Sequence, residues 1–117
     1  MADNLFTVED SDGVSVHLST RVWRSHILSR HGRMSMYADH IKAVIASPSR
    51  KYANTAYQNG VSYWKKGMGG PRDRDLWLTV MVNYKQSRIT RQPYGEVLTA
   101  YFTPTTPPED ERIFENE

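Results

Sequence analysis

The order of the hydrophobic patterns along this chain is the feature that most constrains its fold. Apolar and polar residues alternate over 14–18, and two segments of helical spacing follow, from 19 or 20 to 31 and from 35 or 36 to about 46. The later patterns are β-branched or aromatic runs between turn residues, at 50–52, 61–65, 76–84 and 96–102, with a further short strand near 88–90. Because helices come first and strands follow consecutively, the sequence predicts an α+β fold with two N-terminal helices packed on a mainly antiparallel sheet of about four strands.

Each predicted helix has one apolar face. In the first helix, Trp23 and Ile27 stand four residues apart and form the stripe that packs on the core. In the second, Met36, Ile41 and Ile45 are among the residues spaced to bury one face.

The length and the absence of cysteine exclude several classes of protein. A chain of 117 residues fits a single domain with one modest hydrophobic core. Without cysteine there are no disulfides, iron–sulfur clusters, thiolate zinc sites or thiol nucleophiles. Acidic residues stand near the N-terminus where a signal peptide would carry Lys or Arg, and no apolar run approaches the roughly 20 residues of a membrane span. We therefore expect a cytoplasmic protein with no membrane partner.

Charge divides the chain into three parts. Residues 1–12 are an acidic N-terminal segment of net charge −4, residues 13–103 are the domain, and residues 104–117 are an acidic, proline-containing flexible tail of net charge −4. The domain carries fourteen Lys or Arg against four acidic residues, which gives +10. Such a field attracts polyanions and favours salt-dependent RNA binding. An evenly scattered, solvated basic surface is the alternative, and the tail either solubilises the protein or competes with nucleic acid for that surface.

Seven basic residues near predicted strand ends and turns are the candidate RNA contacts. Side chains at these positions can converge on one sheet surface, and interleaved tyrosine and tryptophan rings offer faces for stacking on unpaired bases. The seven are Arg50, Lys51, Lys65, Lys66, Lys85, Arg88 and Arg91.

The first helix carries the residues best suited to catalysis. A helical wheel sets His26 beside Arg30 on one edge of the apolar stripe, with His31 on the other edge at the helix end. Histidines with basic neighbours suit RNA cleavage, in which a 2′-hydroxyl attacks the adjacent phosphorus while one group takes a proton and another gives one. In the structural alternative, His26 covers the core edge and His31 interacts with the helix C-terminus. The five-residue spacing of the two histidines is not the four-residue spacing that places two metal ligands on one face.

Four short motifs resemble those of a known nuclease group. They are LST at 18–20, WRSHILSRH at 23–31, YW at 63–64 and VLTAYF at 97–102. Together they look like the phage-associated members of the barnase/EndoU/colicin E5-D/RelE-like (BECR-fold) nuclease superfamily. The resemblance spans residues 14–103, although Gly32 and Arg33 replace a proline–acid pair after the second histidine.

The resemblance implies a fold and a set of site residues. It implies two N-terminal helices on about four antiparallel strands, and metal-independent endoribonucleases that act as toxins or phage effectors. Carried over by position, the helix signature falls on His26, Arg30 and His31, and the final-strand signature falls on Thr99 and Tyr101.

The sequence therefore predicts a small metal-independent endoribonuclease that cleaves RNA through a 2′,3′-cyclic phosphate and needs no cofactor. His31 and His26 would share the acid and base roles, Arg30 would stabilise the phosphorane, and Thr99 with Tyr101 would position the phosphate. The expected partners are RNA, with tRNA as a candidate, and a cognate immunity or host protein. The alternatives are a non-catalytic phage-type binding module on the same fold and a protein-binding inhibitor whose acidic tail mimics nucleic acid.

Overall fold

The computed structural model describes residues 4–54, 59–67, 76–104 and 112–115. It contains seven strands: β1 (Asn4–Glu9), β2 (Ser15–Ser19), β3 (Arg50–Asn54), β4 (Gly60–Lys66), β5 (Trp77–Gln86), β6 (Pro93–Thr103) and β7 (Arg112–Glu115). They form one sheet in the order β1-β2-β6-β5-β4-β3-β7. Every neighbouring pair is antiparallel except β2 and β6, which run parallel. The sheet is therefore mixed.

Two short helical segments lie between β2 and β3. Helix α1 (Thr20–Val22) begins at Ser19, whose Oγ accepts a hydrogen bond from Val22 N, and continues as a π-helix over Trp23–Leu28. A 3₁₀ turn over Gly32–Met36 leads into α2 (Ala38–Ala46). Among the described residues, no helix is long and apolar enough to cross a membrane.

The predicted fold, two N-terminal helices on about four antiparallel strands, is wrong. A β-hairpin of β1 and β2 precedes the helices, and the mixed sheet has seven strands. In β1, Phe6 and Val8 alternate with polar residues, which is a strand pattern; the acidic composition of residues 1–12 obscures it in the sequence. Within the segment expected to be a flexible tail, Arg112–Glu115 pairs with β3. The short strand predicted near 88–90 is a turn between β5 and β6.

The main core lies on the face of the sheet that the helices cover. Trp23 and Ile27 are buried in it, as predicted, together with Ile41 and Ile45 of α2. Met36 is 85% exposed, because the chain there is a 3₁₀ turn that buries Met34 instead. A separate cluster of Tyr52, Trp64 and Trp77 is buried on the opposite face.

A polar cluster ties the β1–β2 turn to the centre of the sheet. Asp10 is 7% exposed, and its Oδ1 accepts hydrogen bonds from the backbone N–H groups of Asp12 and Val14, each at 2.9 Å. Tyr84 donates its hydroxyl hydrogen to Asp10 Oδ2 at 2.7 Å. Since that hydrogen is used, the fully buried Tyr63 donates to the Tyr84 oxygen. The turn is thus anchored by a buried carboxylate that accepts three hydrogen bonds, and the hydroxyl of one of those donors, Tyr84, accepts a fourth from Tyr63.

Candidate functional site

The residues predicted for catalysis do not form one group. His31 stacks on Tyr101, with 5.1 Å between ring centroids and 27° between ring planes. His26 lies in a different place, in a cleft that neither His31 nor Tyr101 lines. Arg30 is exposed, and Thr99 is half-buried opposite Met81 on β5.

A second ring cluster lies next to the stack of His31 on Tyr101. Phe102 follows Tyr101 on β6 and meets Tyr37 edge to face at 4.9 Å, and the guanidinium carbon of Arg33 lies 4.8 Å from the Phe102 ring centroid. The end of β6 is therefore an aromatic edge with the guanidinium of Arg33 beside it.

The basic residues predicted to contact RNA are also divided. Arg50 and Lys66 lie over the Trp77 ring, 5.1 and 5.8 Å from its centroid. Three lysines make polar contacts within the protein: Lys51 with Asp12 Oδ2 at 3.1 Å, Lys65 with Ser47 O at 2.9 Å, and Lys85 with Glu96 Oε2 at 3.0 Å. Arg88 and Arg91 are exposed in the turn after β5. The seven residues therefore form two groups: four lie on β3 and β4, and three lie at the end of β5 and in the turn that leads to β6.

A cleft, here called the main cleft, lies where β2 leads into α1 and runs beside β6. Its volume is about 840 Å³. The polar side chains that line it include His17, Arg21, Arg24, Ser25, His26 and Glu96. Two imidazoles, two guanidiniums and one carboxylate thus face a common space that is large enough for part of a nucleotide chain.

The parallel pairing of β2 and β6 places His17 beside Glu96. The two residues are register partners, so their side chains lie next to each other on one face of the sheet. Val16 and Val97, the adjacent residues on the two strands, point the other way into the core. His17 Nδ1 is hydrogen-bonded to Thr7 Oγ1 at 2.9 Å, which leaves Nε2 as the nitrogen able to exchange a proton with a ligand.

Glu96 also forms an ion pair with Lys85 at 3.0 Å. The hydrogen bond from Lys85 Nζ to Glu96 raises the pKa of Lys85. Both side chains are close to half exposed, so the pair contributes little to stability. It does keep an ammonium group next to the Glu96 carboxylate.

Residues of the π-helix also line the cleft. Trp23 and Ile27 are buried, while Arg24, Ser25 and His26 are exposed on the cleft side. The wider turn of a π-helix is a rare local geometry that often occurs at functional sites. It lets three consecutive residues face the opening while Trp23 and Ile27 remain in the core.

Sequence reasoning missed His17, Arg21, Arg24 and Glu96 as site residues. The alternation of Val16, His17 and Leu18 already indicated that His17 points away from the core. No local pattern indicated that β2 pairs with β6, which is what puts Glu96 next to His17. Among the residues that the structure describes, no group of three or more His, Asp or Glu side chains is placed to hold a metal ion.

Comparison with known proteins adds no relative. A scan against protein-family models, a search of curated proteins and a search of solved structures each found no match.

Proposed function

We propose that this protein is a metal-independent endoribonuclease and that the main cleft is its active site. The observation that carries the proposal is the presence of His17, His26 and Glu96 in one cleft with Arg21 and Arg24. Proton acceptors, proton donors and fixed positive charge are the three elements that cleavage by a neighbouring 2′-hydroxyl requires. Of the site residues that the short-motif resemblance implies, His26 alone lines this cleft. We place the site of action in the cytoplasm, where an RNA substrate is found.

The reaction needs two proton transfers, and we assign one to a sheet residue and the other to a helix residue of the cleft. On the sheet side, His17 with Glu96 beside it takes the proton from the 2′-hydroxyl as the 2′ oxygen attacks phosphorus. On the helix side, His26 gives a proton to the 5′ oxygen as the P–O5′ bond breaks. The products are a 2′,3′-cyclic phosphate and a 5′-hydroxyl. Arg21 and Arg24 offset the negative charge that builds up on the phosphorane oxygens.

This assignment differs from the one that the sequence alone favours. His26 keeps its role, whereas His17 replaces His31, and the two arginines of the cleft replace Arg30. His31 stacks on Tyr101, five residues beyond Glu96 on β6 and so roughly 15 Å away along the strand. At that distance we assign His31 and Tyr101 to substrate contact.

Cleavage of total RNA and of tRNA in the presence of EDTA tests the proposal. We expect wild type to cleave, and we expect His17→Ala and His26→Ala each to lose about 100-fold or more in rate, the usual contribution of a positioned acid or base. His31→Ala is the comparison variant: it removes a proposed substrate contact but neither the proton acceptor nor the proton donor, and it should lose less than about tenfold.

Two results would contradict the proposal. Wild-type protein that binds RNA without cutting it would indicate the non-catalytic binding module. Equal rates for wild type, His17→Ala and His26→Ala would remove the main cleft as the active site.

A further inference from the structure

The turn between β5 and β6, residues 87–92, is held in one shape by its own hydrogen bonds. Ser87 N donates to Gln92 O and Arg91 N donates to Ser87 O, both at 2.9 Å. Ser87 Oγ also accepts from the backbone N–H groups of Ile89 and Thr90. Arg91 has a φ of 60°, in the left-handed region that non-glycine residues rarely adopt. Such a turn presents its outer side chains in fixed directions.

The turn presents the apolar side chain of Ile89 between the cationic side chains of Arg88 and Arg91. Ile89 is 94% exposed, the highest value among the exposed large hydrophobic residues of the described part of the chain. Arg88 precedes it, Arg91 follows two residues later, and both are exposed. A fully exposed isoleucine gains nothing for the fold, because it buries no apolar surface.

The turn adjoins the proposed active site. A second cleft of about 490 Å³ is lined by Arg88, Ile89 and Tyr94, and His17 lines both this cleft and the main cleft. From Glu96 back to Pro93, the first residue of β6 after the turn, the strand covers about 10 Å. At 3.4 Å for each stacked nucleotide of a strand, that length corresponds to about three nucleotides.

We propose that the β5–β6 turn is a substrate-binding element that packs Ile89 against an unpaired base of RNA while Arg88 and Arg91 pair with the flanking phosphates. This proposal rests on the proposed function and deepens it, since it makes single-stranded or looped RNA the substrate class. Apolar side chains contact unstacked bases well, and these bases are exposed in loops and single strands but hidden in a duplex. Because the turn is already ordered, binding loses little conformational entropy.

The continuity of the two clefts through His17 favours RNA over a protein as the occupant. Because His17 lines both clefts, a strand that passes through the main cleft and across His17 enters the second cleft, and the two arginines match its charge.

The test compares Ile89→Ser with Met36→Ser, which removes another exposed large hydrophobic side chain from a different element. Binding is measured by fluorescence anisotropy with a labelled, 2′-O-methylated single strand of mixed sequence, which cannot be cleaved, and with its blunt duplex. We expect Ile89→Ser to raise the Kd for the single strand about fivefold or more and to leave the Kd for the duplex unchanged. Met36→Ser should behave as wild type with both probes.

A second variant tests the electrostatic part. Arg88→Gln is expected to reduce the slope of log K against log salt by about 0.7, the value for one phosphate contact on a single strand. If Ile89→Ser binds the single strand as tightly as Met36→Ser does, the proposal is overturned, and a protein-binding role for the turn becomes the better explanation. Because the probe is not cleaved, this outcome is independent of whether wild type cuts RNA, so the two proposals can fail separately.

Discussion

Replacing Tyr84 by Phe removes the centre of the buried polar cluster without changing the shape of the side chain. Its hydroxyl donates to Asp10 Oδ2 at 2.7 Å and is in contact with the hydroxyl of Tyr63. The substitution takes a donor from a carboxylate that is 7% exposed and leaves the Tyr63 hydroxyl without its partner. A hydrogen bond to a charged group contributes about 1.5–3 kcal/mol, so we expect Tyr84→Phe to lower the free energy of unfolding by about that amount.

Urea or thermal unfolding followed by tryptophan fluorescence measures the loss. For a domain of this size, 1 kcal/mol corresponds to a Tm change of about 4–8 °C, so the expected decrease is about 6 °C or more. Tyr94→Phe is the matched control, because the Tyr94 hydroxyl makes no hydrogen bond with the described residues, and it should change stability by less than about 0.5 kcal/mol. If Tyr84→Phe were as stable as Tyr94→Phe, the cluster could not be what anchors the β1–β2 turn.

Two further predictions concern stability. A Cβ at Gly95 would lie 2.7 Å from Val82 Cγ1, so Gly95→Ala should cost about 1–3 kcal/mol in urea unfolding. Gly32→Ala, with nothing within 4 Å of the added Cβ, should be neutral, and equal stability of the two variants would contradict the prediction. Burial raises the pKa of Tyr63 and Tyr84 above the usual value of about 10. As the pH rises, the unfolded chain therefore releases these protons before the folded protein does. The free energy of unfolding keeps its full value below about pH 10 and falls above it, by about 1.4 kcal/mol per pH unit for the fully buried Tyr63. A Tyr63→Phe variant whose stability falls equally steeply at alkaline pH would refute this assignment.

The part of the fold that the sequence predicts correctly depends on local patterns. The strands β3 to β6 lie where β-branched and aromatic runs indicated them, and Trp23 and Ile27 are buried as their spacing required. Met36 is exposed although its spacing predicted burial, because it lies in a 3₁₀ helix, which has three residues per turn and buries a different set of side chains from an α-helix. Periodicity identifies the buried face only when the type of helix is known.

The part that the sequence does not predict depends on pairing between distant segments. Neither the N-terminal hairpin nor the parallel contact of β2 with β6 has a local pattern that reveals it. His26 could be selected from its helix and its neighbours alone. His17 and Glu96 could not be joined, because each is an ordinary outward-facing strand residue until the register places them side by side.

The parallel pairing of β2 with β6 also determines when the protein can acquire its proposed activity. The paired segments, 15–17 and 94–96, are 79 residues apart in the chain, and contacts of such separation are slow to form because a long loop must close first. During synthesis, His17 and His26 leave the ribosome long before Glu96 does. The main cleft is therefore incomplete in every nascent chain that lacks β6, so the proposed nuclease activity cannot arise before residues 93–103 have been translated.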